Sequence, residues 1–263
     1  MKVDIRNSVK VAQLANIFRH SKKITDVVNL DFTESGLHMQ GMDYSHACLF
    51  ELNLGDDWFD EYNVSGDFRI GICCEILFKI ISCHEEGQRI VMSMDRGHDR
   101  LRLEFLGEGT IEKAFEIPLI DIISELMTIP DVDYTADVGF VSADLSALIS
   151  QLSIFSDGVR FKFTEKGIDL IASGDHGKMT ADIKEELINE YSIEEDATVS
   201  VSFGLSYIER VCAFSKLNKD VSVHCSLEYP MKIHYSLDDE NESKNYMRFF
   251  IAPKADDDDT LYA

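Results

Sequence analysis

The feature that most constrains the fold of this 263-residue chain is an internal repeat. The run FTESGL at 32–37 returns as FTEKGI at 163–168, with an offset of 131 residues. A second match pairs GICCEIL at 71–77 with GLSYIER at 204–210, with an offset of 133 residues. Because the matches keep the same order and nearly the same offset, they indicate a duplication, and each half of the chain should fold into the same unit.

Hydropathy patterns predict strands and two helices in each half of the chain. The Phe-Thr-Glu segments lie between strand-like runs, as expected of Gly-containing hairpin turns. An amphipathic helix precedes each of them, opened by Ser8 or Ser142 as N-cap, and a shorter helix follows. The expected helices span 8–20, 72–83, 142–153 and 205–217. Since most other segments alternate as strands do, we expect an α+β fold with two similar domains of antiparallel sheet.

The positions of the prolines divide these domains. Pro118 and Pro130, two of only four prolines, bracket a segment with no clean period of 2 or 3.6, which is typical of a linker. The run of four aspartates near the end of the sequence indicates a solvated tail. The expected division is an N-terminal domain at 1–117, an interdomain connector at 118–135, a C-terminal domain at 136–254 and an acidic tail at 255–263.

Composition narrows the class of protein. Hydrophobic residues make up 45% of the chain, enough for a core, and no run approaches the ~18 uncharged apolar residues of a membrane span. The first residues lack the apolar region of a signal peptide. The six cysteines form no C-x-x-C pair, so reduced thiols are expected. We therefore expect a soluble intracellular protein with no membrane partner. The net charge of −23 disfavours binding of phosphate groups by the general surface.

No catalytic or metal-binding constellation is recognisable in the sequence. Ser45 and His46 are adjacent, but neighbours on a strand point to opposite faces. The Gly-Glu-Gly at 107–109 does not continue as a dinucleotide or phosphate loop, and the eight histidines show no H-E-x-x-H spacing. We therefore expect a protein that is not an enzyme, with no catalytic residues, no metal and no cofactor.

Four further blocks of sequence carry a family resemblance. They are GLHMQGMDYSH at 36–46, IPDVDY at 129–134, DLIASGDHG at 169–177 and FFIAPK at 249–254. Together they resemble the proliferating cell nuclear antigen family, the eukaryotic-type DNA sliding clamps. The resemblance extends over essentially the whole chain, including its duplication and its linker.

This resemblance implies the DNA clamp fold, in which copies assemble head to tail into a closed homotrimeric ring. The strands near 110–116 and 178–184 would pair between neighbouring copies. The implied function is a processivity factor that encircles double-stranded DNA and tethers DNA polymerases and other replication and repair proteins after a clamp loader opens it. The implied location is the nucleus, or the viral replication compartment for a viral member. The alternatives are a checkpoint-type clamp subunit of a hetero-trimer and, in another class, an acidic hydrolase.

Charge is unevenly distributed between the helices and the rest of the chain. The expected helices carry five basic and three acidic residues, a net charge of +2, and the remainder carries −25. On the first helix, the face opposite the apolar stripe offers Gln13, Asn16 and His20, so DNA contact should be weaker than is usual in the family. The implied DNA-facing residues are Lys10, Arg19, Lys79, Arg210 and Lys216, and further candidates beyond the helix ends are Lys22, Lys23 and Lys219.

The resemblance also implies a hydrophobic groove beneath the connector. It would receive a short partner motif that forms a helical turn with aromatic side chains, a helix-in-groove mode of binding. The position that often holds a ubiquitin-accepting lysine in the family is Glu165 here, beside Lys166. The implied groove residues are Met42, Ala47, Leu49, Met127, Ile129, Pro130, Tyr134, Pro230, Phe250, Ala252 and Pro253.

Overall fold

The computed structural model describes residues 1–123, 125–238 and 243–254, so the expected acidic tail lies outside the described residues. The chain splits into two compact units. The first comprises Met1–Thr128 and Ser236–Met247, and the second comprises Ile129–Tyr235 and the residues from Arg248 onward. The boundary between the units therefore falls inside the expected connector. The first unit also includes Ser236–Met247, a late segment that the expected division assigned to the C-terminal domain.

The first unit contains two antiparallel sets of strands and two helices that pack against each other. The helices are α1 (Ser8–Ser21) and α2 (Cys74–Ile81). The strands are β1 (Lys2–Ile5), β2 (Val27–Thr33), β3 (Gly36–Met42), β4 (Cys48–Gly55), β5 (Glu61–Asn63), β6 (Phe68–Cys73), β7 (Arg89–Ser93), β8 (Arg100–Leu106) and β9 (Lys113–Pro118). One set has the order β5-β1-β7-β8-β9, and the other has the order β4-β3-β2-β6.

The second unit repeats this plan. Its helices are α3 (Ser142–Leu152) and α4 (Leu205–Cys212), which also pack together. Its strands are β10 (Ala136–Val141), β11 (Gly158–Thr164), β12 (Gly167–Gly174), β13 (Gly177–Lys184), β14 (Glu190–Ile193), β15 (Val199–Gly204), β16 (Asp220–Cys225) and β17 (Met231–Ser236). Their orders are β13-β12-β11-β15 and β14-β10-β16-β17. The last strand, β18 (Tyr246–Ile251), begins in the first unit and ends in the second.

The predicted fold class is confirmed: the fold is α+β, with two similar units of antiparallel sheet and two helices in each. The repeat is visible in atomic detail at its two hairpin turns. Gly36 and Gly167 have φ angles of +145° and +132°, and a Cβ at either would lie 2.2 or 2.4 Å from a carbonyl oxygen of the adjacent strand. The Tyr62 and Tyr191 hydroxyls donate to the carbonyl oxygens that precede these turns, at 2.7 and 2.6 Å. Both copies of the motif thus need glycine because no side chain fits.

The helix ends differ from the prediction. Asn7, not Ser8, is the N-cap of α1, and its side chain accepts hydrogen bonds from the Val9 and Lys10 N–H groups. The N-cap of α3 is Val141, which has no side chain able to accept such a bond, and Ser142 lies inside the helix. The predicted serine caps were wrong because the strand-to-helix junctions place the serines one residue too late to bond the second and third helical N–H groups.

Candidate functional site

The implied DNA-facing residues of the first unit lie on its helix pair. Arg19 and Lys22 lie over the Phe78 ring of α2, at 5.6 and 4.4 Å from its centroid. Lys79, one residue further on, is 68% exposed and pairs with Glu75 at 2.8 Å. The Lys79 hydrogen bond lowers the pKa of Glu75, and the charge of Lys22 lowers it further. The helix pair therefore gathers three cations, Arg19, Lys22 and Lys79, which we name the basic cluster.

Lys10 has a different environment. Its Nζ donates to the Trp58 carbonyl oxygen at 2.6 Å. The same Nζ lies 5.5 Å from the centroid of the Trp58 ring. Trp58 is fully buried in the core of the first unit. Lys10 therefore links α1 to the turn after β4, and part of its hydrogen-bonding capacity is used within the unit.

The second unit offers fewer cations on its helices. Arg210 on α4 lies 5.5 Å from the Tyr207 ring centroid. Lys216 is exposed but lies in a turn, because α4 ends at Cys212 and does not extend to residue 217 as predicted. The third helix carries Asp144 and no basic residue. With the observed bounds, the four helices hold four basic and three acidic residues, a net charge of +1 instead of the predicted +2.

The expected polar face of α1 is partly wrong. Asn16 is only 7% exposed, and Gln13 and His20 are partly buried. The reason is that α1 buries a wider arc than one apolar stripe, since α2 packs beside it and Ile17 is fully buried. Arg19 remains exposed, as expected.

Four of the implied groove residues belong to the first unit. Met42 at the end of β3 and Leu49 on β4 are register partners, and both side chains are partly exposed. Ala47 lies in the loop between these strands. Met127 in the connector is 52% exposed and is held at two points: its N–H donates to Gln40 Oε1 at 2.7 Å, and its carbonyl accepts from Gln40 Nε2 at 3.0 Å.

Asp43, which the motif reasoning did not single out, organises the loop between β3 and β4. Its buried carboxylate accepts from the Ser45, Ala47 and Cys48 N–H groups at 3.2, 2.8 and 2.7 Å. Burial alone would raise the pKa of Asp43, but the hydrogen bonds together lower it. Aspartate is a common turn residue because its carboxylate can accept from the backbone N–H two residues further on, and this was the available signal. The loop presents His46 exposed with a φ of +57°.

The other seven implied groove residues belong to the second unit. The Tyr134 hydroxyl donates to the Pro230 carbonyl oxygen at 3.3 Å, and burial raises the pKa of Tyr134 to about 12. Its ring lies 5.7 Å from that of His224. Near the chain's last described residues, Phe250 is partly buried. Of the rest, Ile129 and Ala252 are partly buried, and Pro130, Pro230 and Pro253 are exposed.

The strands expected to pair between copies are edge strands of their own sheets. β9 is the last strand of the order β5-β1-β7-β8-β9, and β13 is the first strand of the order β13-β12-β11-β15. Side chains on β13 alternate between exposed and partly buried along most of its eight residues. Each strand thus has one side with no strand partner among the described residues.

The remaining groups that could carry chemistry are the cysteines and the possible metal ligands. All six cysteines are free, and burial raises the pKa of Cys74, Cys212 and Cys225 to about 12. Within the described ranges, no group of three or more His, Cys, Asp or Glu side chains is placed to hold a metal ion. In the same ranges, no helix has the length and apolar character needed to cross a membrane.

The repeated units, with antiparallel sheets and two helices each, have the architecture of the DNA clamp fold. The family model of the proliferating cell nuclear antigen N-terminal domain matches residues 7–126, and that of its C-terminal domain matches residues 128–254. The chain belongs to the proliferating cell nuclear antigen family.

Two relatives show the degree of similarity. The chain is 26% identical to proliferating cell nuclear antigen 2 of Drosophila melanogaster, over 90% of this chain and 95% of the relative. It is 27% identical to proliferating cell nuclear antigen of Chaetomium thermophilum, with the same coverage. Membership of this family supports a DNA sliding clamp of replication and repair, and clamps of the family are non-enzymatic scaffolds.

Proposed function

We propose that three copies of this chain form a closed head-to-tail ring that encircles duplex DNA and acts as a processivity factor. The observation that carries the proposal is the pair of edge strands, β9 and β13. Pairing β9 of one copy with β13 of the next satisfies two exposed edges, which would otherwise be open to non-specific association. A contact between two different surfaces closes into a ring when the rotation between copies is right.

The distribution of charge supports DNA within such a ring. The helices carry a net charge of +1 in a chain of −23, so the most favourable surface for phosphate is on the helices. The basic cluster provides most of this attraction. A ring holds DNA by enclosing it, so a few phosphate contacts are enough, and the acidic exterior disfavours binding of other DNA.

The partner-binding residues are the eleven implied by the resemblance, four in the first unit and seven in the second. Several are apolar and solvent-accessible, such as Met127 at 52% exposure. Short motifs of DNA polymerases and other replication and repair proteins bind there, and a clamp loader opens the ring. The chain does no chemistry itself and uses no cofactor. It works in the nucleus, or in the viral replication compartment if the chain is viral.

Sedimentation of the purified chain at tens of micromolar, followed by retention on nicked circular against linear DNA with a clamp loader, tests this function. We expect a trimer that is retained on the circle and slides off linear DNA ends. A chain that stays monomeric alone, and assembles only with other clamp subunits, would instead be the checkpoint-type subunit of a hetero-trimer.

A further inference from the structure

Three strands of the second unit align polar side chains in a row. Asp137 on β10 is the register partner of His224 on β16, and His224 is the register partner of Lys232 on β17. Directly opposed residues of antiparallel strands project from the same face of the sheet. The His224 Nδ1 and the Asp137 carboxylate are hydrogen-bonded. Lys232 is therefore next to His224, whose imidazole is already bonded to Asp137 on the other side.

Tyr134 covers this row from the connector. Its ring centroid lies 4.9 Å from Lys232 Nζ, and its hydroxyl is held by the Pro230 carbonyl oxygen. The aromatic face thus fixes the position of the ammonium group, since a cation over a ring is attracted to its negative face. Both Tyr134 and Pro230 are among the implied groove residues, so Lys232 lies beside that surface.

Lys232 is partly buried and has no carboxylate within 4.0 Å in the part of the chain that the structure describes. Burial and the Arg248 guanidinium lower the pKa of Lys232, although Asp137 and Asp131 act in the opposite direction. Arg248 is engaged with the imidazole of His234, to which its Nε donates at 3.2 Å. The ammonium of Lys232 is therefore partly desolvated, and a carboxylate brought to it would restore the interactions that burial removes.

We propose that Lys232 is a specificity-determining residue that binds an aspartate or glutamate side chain of the partner peptide. The inference rests on the proposed partner-binding function. Charge complementarity supports this occupant: in a chain of net charge −23, a cation here gives local attraction to an acidic peptide that most of the surface repels. Leu227 and Tyr229, 65% and 37% exposed, provide apolar contact nearby, and Tyr229 lies 6.4 Å from Tyr134.

Because Lys232 is partly buried, we expect the site to distinguish an acidic peptide side chain from a neutral or a basic one. A peptide with asparagine in place of aspartate would cover Lys232 without supplying a charge, and a lysine peptide would be repelled. Discrimination of this kind comes from penalising the wrong ligand as well as from attracting the right one. A hydrogen bond to a charged group supports about a tenfold preference for aspartate over asparagine.

The test uses synthetic helical-turn peptides with a pair of aromatic residues inside their sequence. Matched sets carry Asp, Asn or Lys at each position flanking the aromatic pair, and calorimetry measures their affinity for the full chain. We expect one flanking position at which Asp binds about tenfold more tightly than Asn. In Lys232→Met this preference should disappear, and in Lys232→Arg, which keeps the charge, it should remain.

Lys166→Met is the matched control, because it removes an exposed lysine of the same unit, in the turn between β11 and β12. It should keep the full Asp preference. Peptides that bind both the wild type and Lys232→Met with no difference between Asp and Asn would overturn the role of Lys232 and leave the partner surface intact. Failure of every peptide to bind the wild-type chain would instead overturn the partner-binding function, and this inference with it.

Discussion

At the scale of single residues, Gln40 shows how a sheet side chain holds the connector. Its amide both accepts from and donates to the main chain of Met127, as a neighbouring strand would. Asn29 adds a similar bond, since its Nδ2 donates to the Ile122 carbonyl oxygen at 3.3 Å. Two side-chain amides on adjacent strands therefore hold the connector at Ile122 and at Met127.

We predict that Gln40→Ala releases the connector at Met127. Loss of two hydrogen bonds should cost about 1–2 kcal/mol of local stability and increase amide exchange at Met127 by roughly tenfold. Hydrogen exchange with mass spectrometry measures this change. Gln40→Glu is the matched control, because it keeps the acceptor for the Met127 N–H. Equal exchange in Gln40→Ala and the wild type would contradict the role of this side chain.

A second prediction for a single residue concerns His234 and the loss of folding stability in acid. Burial, with Arg248, His224 and Lys232 nearby, lowers the pKa of His234 to about 3 from the ordinary 6.5. Between these two pH values the unfolded chain binds more protons at this histidine than the folded chain does. The free energy of unfolding therefore falls as the pH decreases from about 6.5 towards 3, by up to about 1.4 kcal/mol per pH unit. We expect His234→Gln to show a smaller loss of urea stability between pH 7 and pH 5 than the wild type.

The control for this measurement is His98→Gln, which replaces an exposed histidine in the turn after β7. It should keep the pH dependence of the wild type. An unchanged pH dependence in His234→Gln would mean that other groups cause the acid sensitivity.

At the scale of elements, β13 is an edge strand, and its outer side is open to pairing with another strand. The Gly174–Gly177 pair closes a two-residue hairpin, so every second pair along β12 and β13 exchanges hydrogen bonds. Thr180 falls between such pairs, and its N–H therefore points away from β12. A proline at this position removes an outward donor without removing a bond to β12.

We predict that Thr180→Pro weakens assembly of the chain at least tenfold and leaves the folded subunit intact. Sedimentation velocity over a concentration series measures assembly, and circular dichroism reports on folding. Thr180→Ala, which keeps the N–H, should assemble like the wild type. If both variants assemble equally well, β13 does not pair between copies.

The elements also show what the sequence could predict. The duplication and the alternating runs predicted antiparallel strands and two helices in each half, because the period of the hydropathy pattern follows from which side of each element is buried. The helix ends and the burial of Asn16 were missed, since they depend on which helix lies alongside. Lys232 was not identified either: its significance comes from the register of β16 and β17, which joins residues eight positions apart only after the strands have paired.

At the scale of the whole molecule, the helices hold a small positive charge within a strongly acidic chain. We predict that replacing Arg19, Lys22 and Lys79 together by alanine reduces retention on nicked circular DNA most strongly at low salt. Each phosphate contact removed should lower the slope of log affinity against log salt by about 0.9. The control replaces three exposed cations outside the helices, Lys2, Arg96 and Arg100, for the same change in net charge. Equal losses in both variants would show that only the total charge matters.

The late segment of the first unit has a consequence for biosynthesis. The buried side chain of Asn245 accepts the Gly55 N–H at 2.8 Å, and Asn53 donates to the Lys244 carbonyl oxygen at 2.7 Å. These bonds join residues about 190 positions apart in sequence. On the ribosome, the first unit therefore cannot complete its hydrogen bonds until nearly the whole chain has been synthesised. The first unit is therefore synthesised first but completes its folding last. In nascent chains that stop before residue 244, we expect the first unit to be sensitive to proteases.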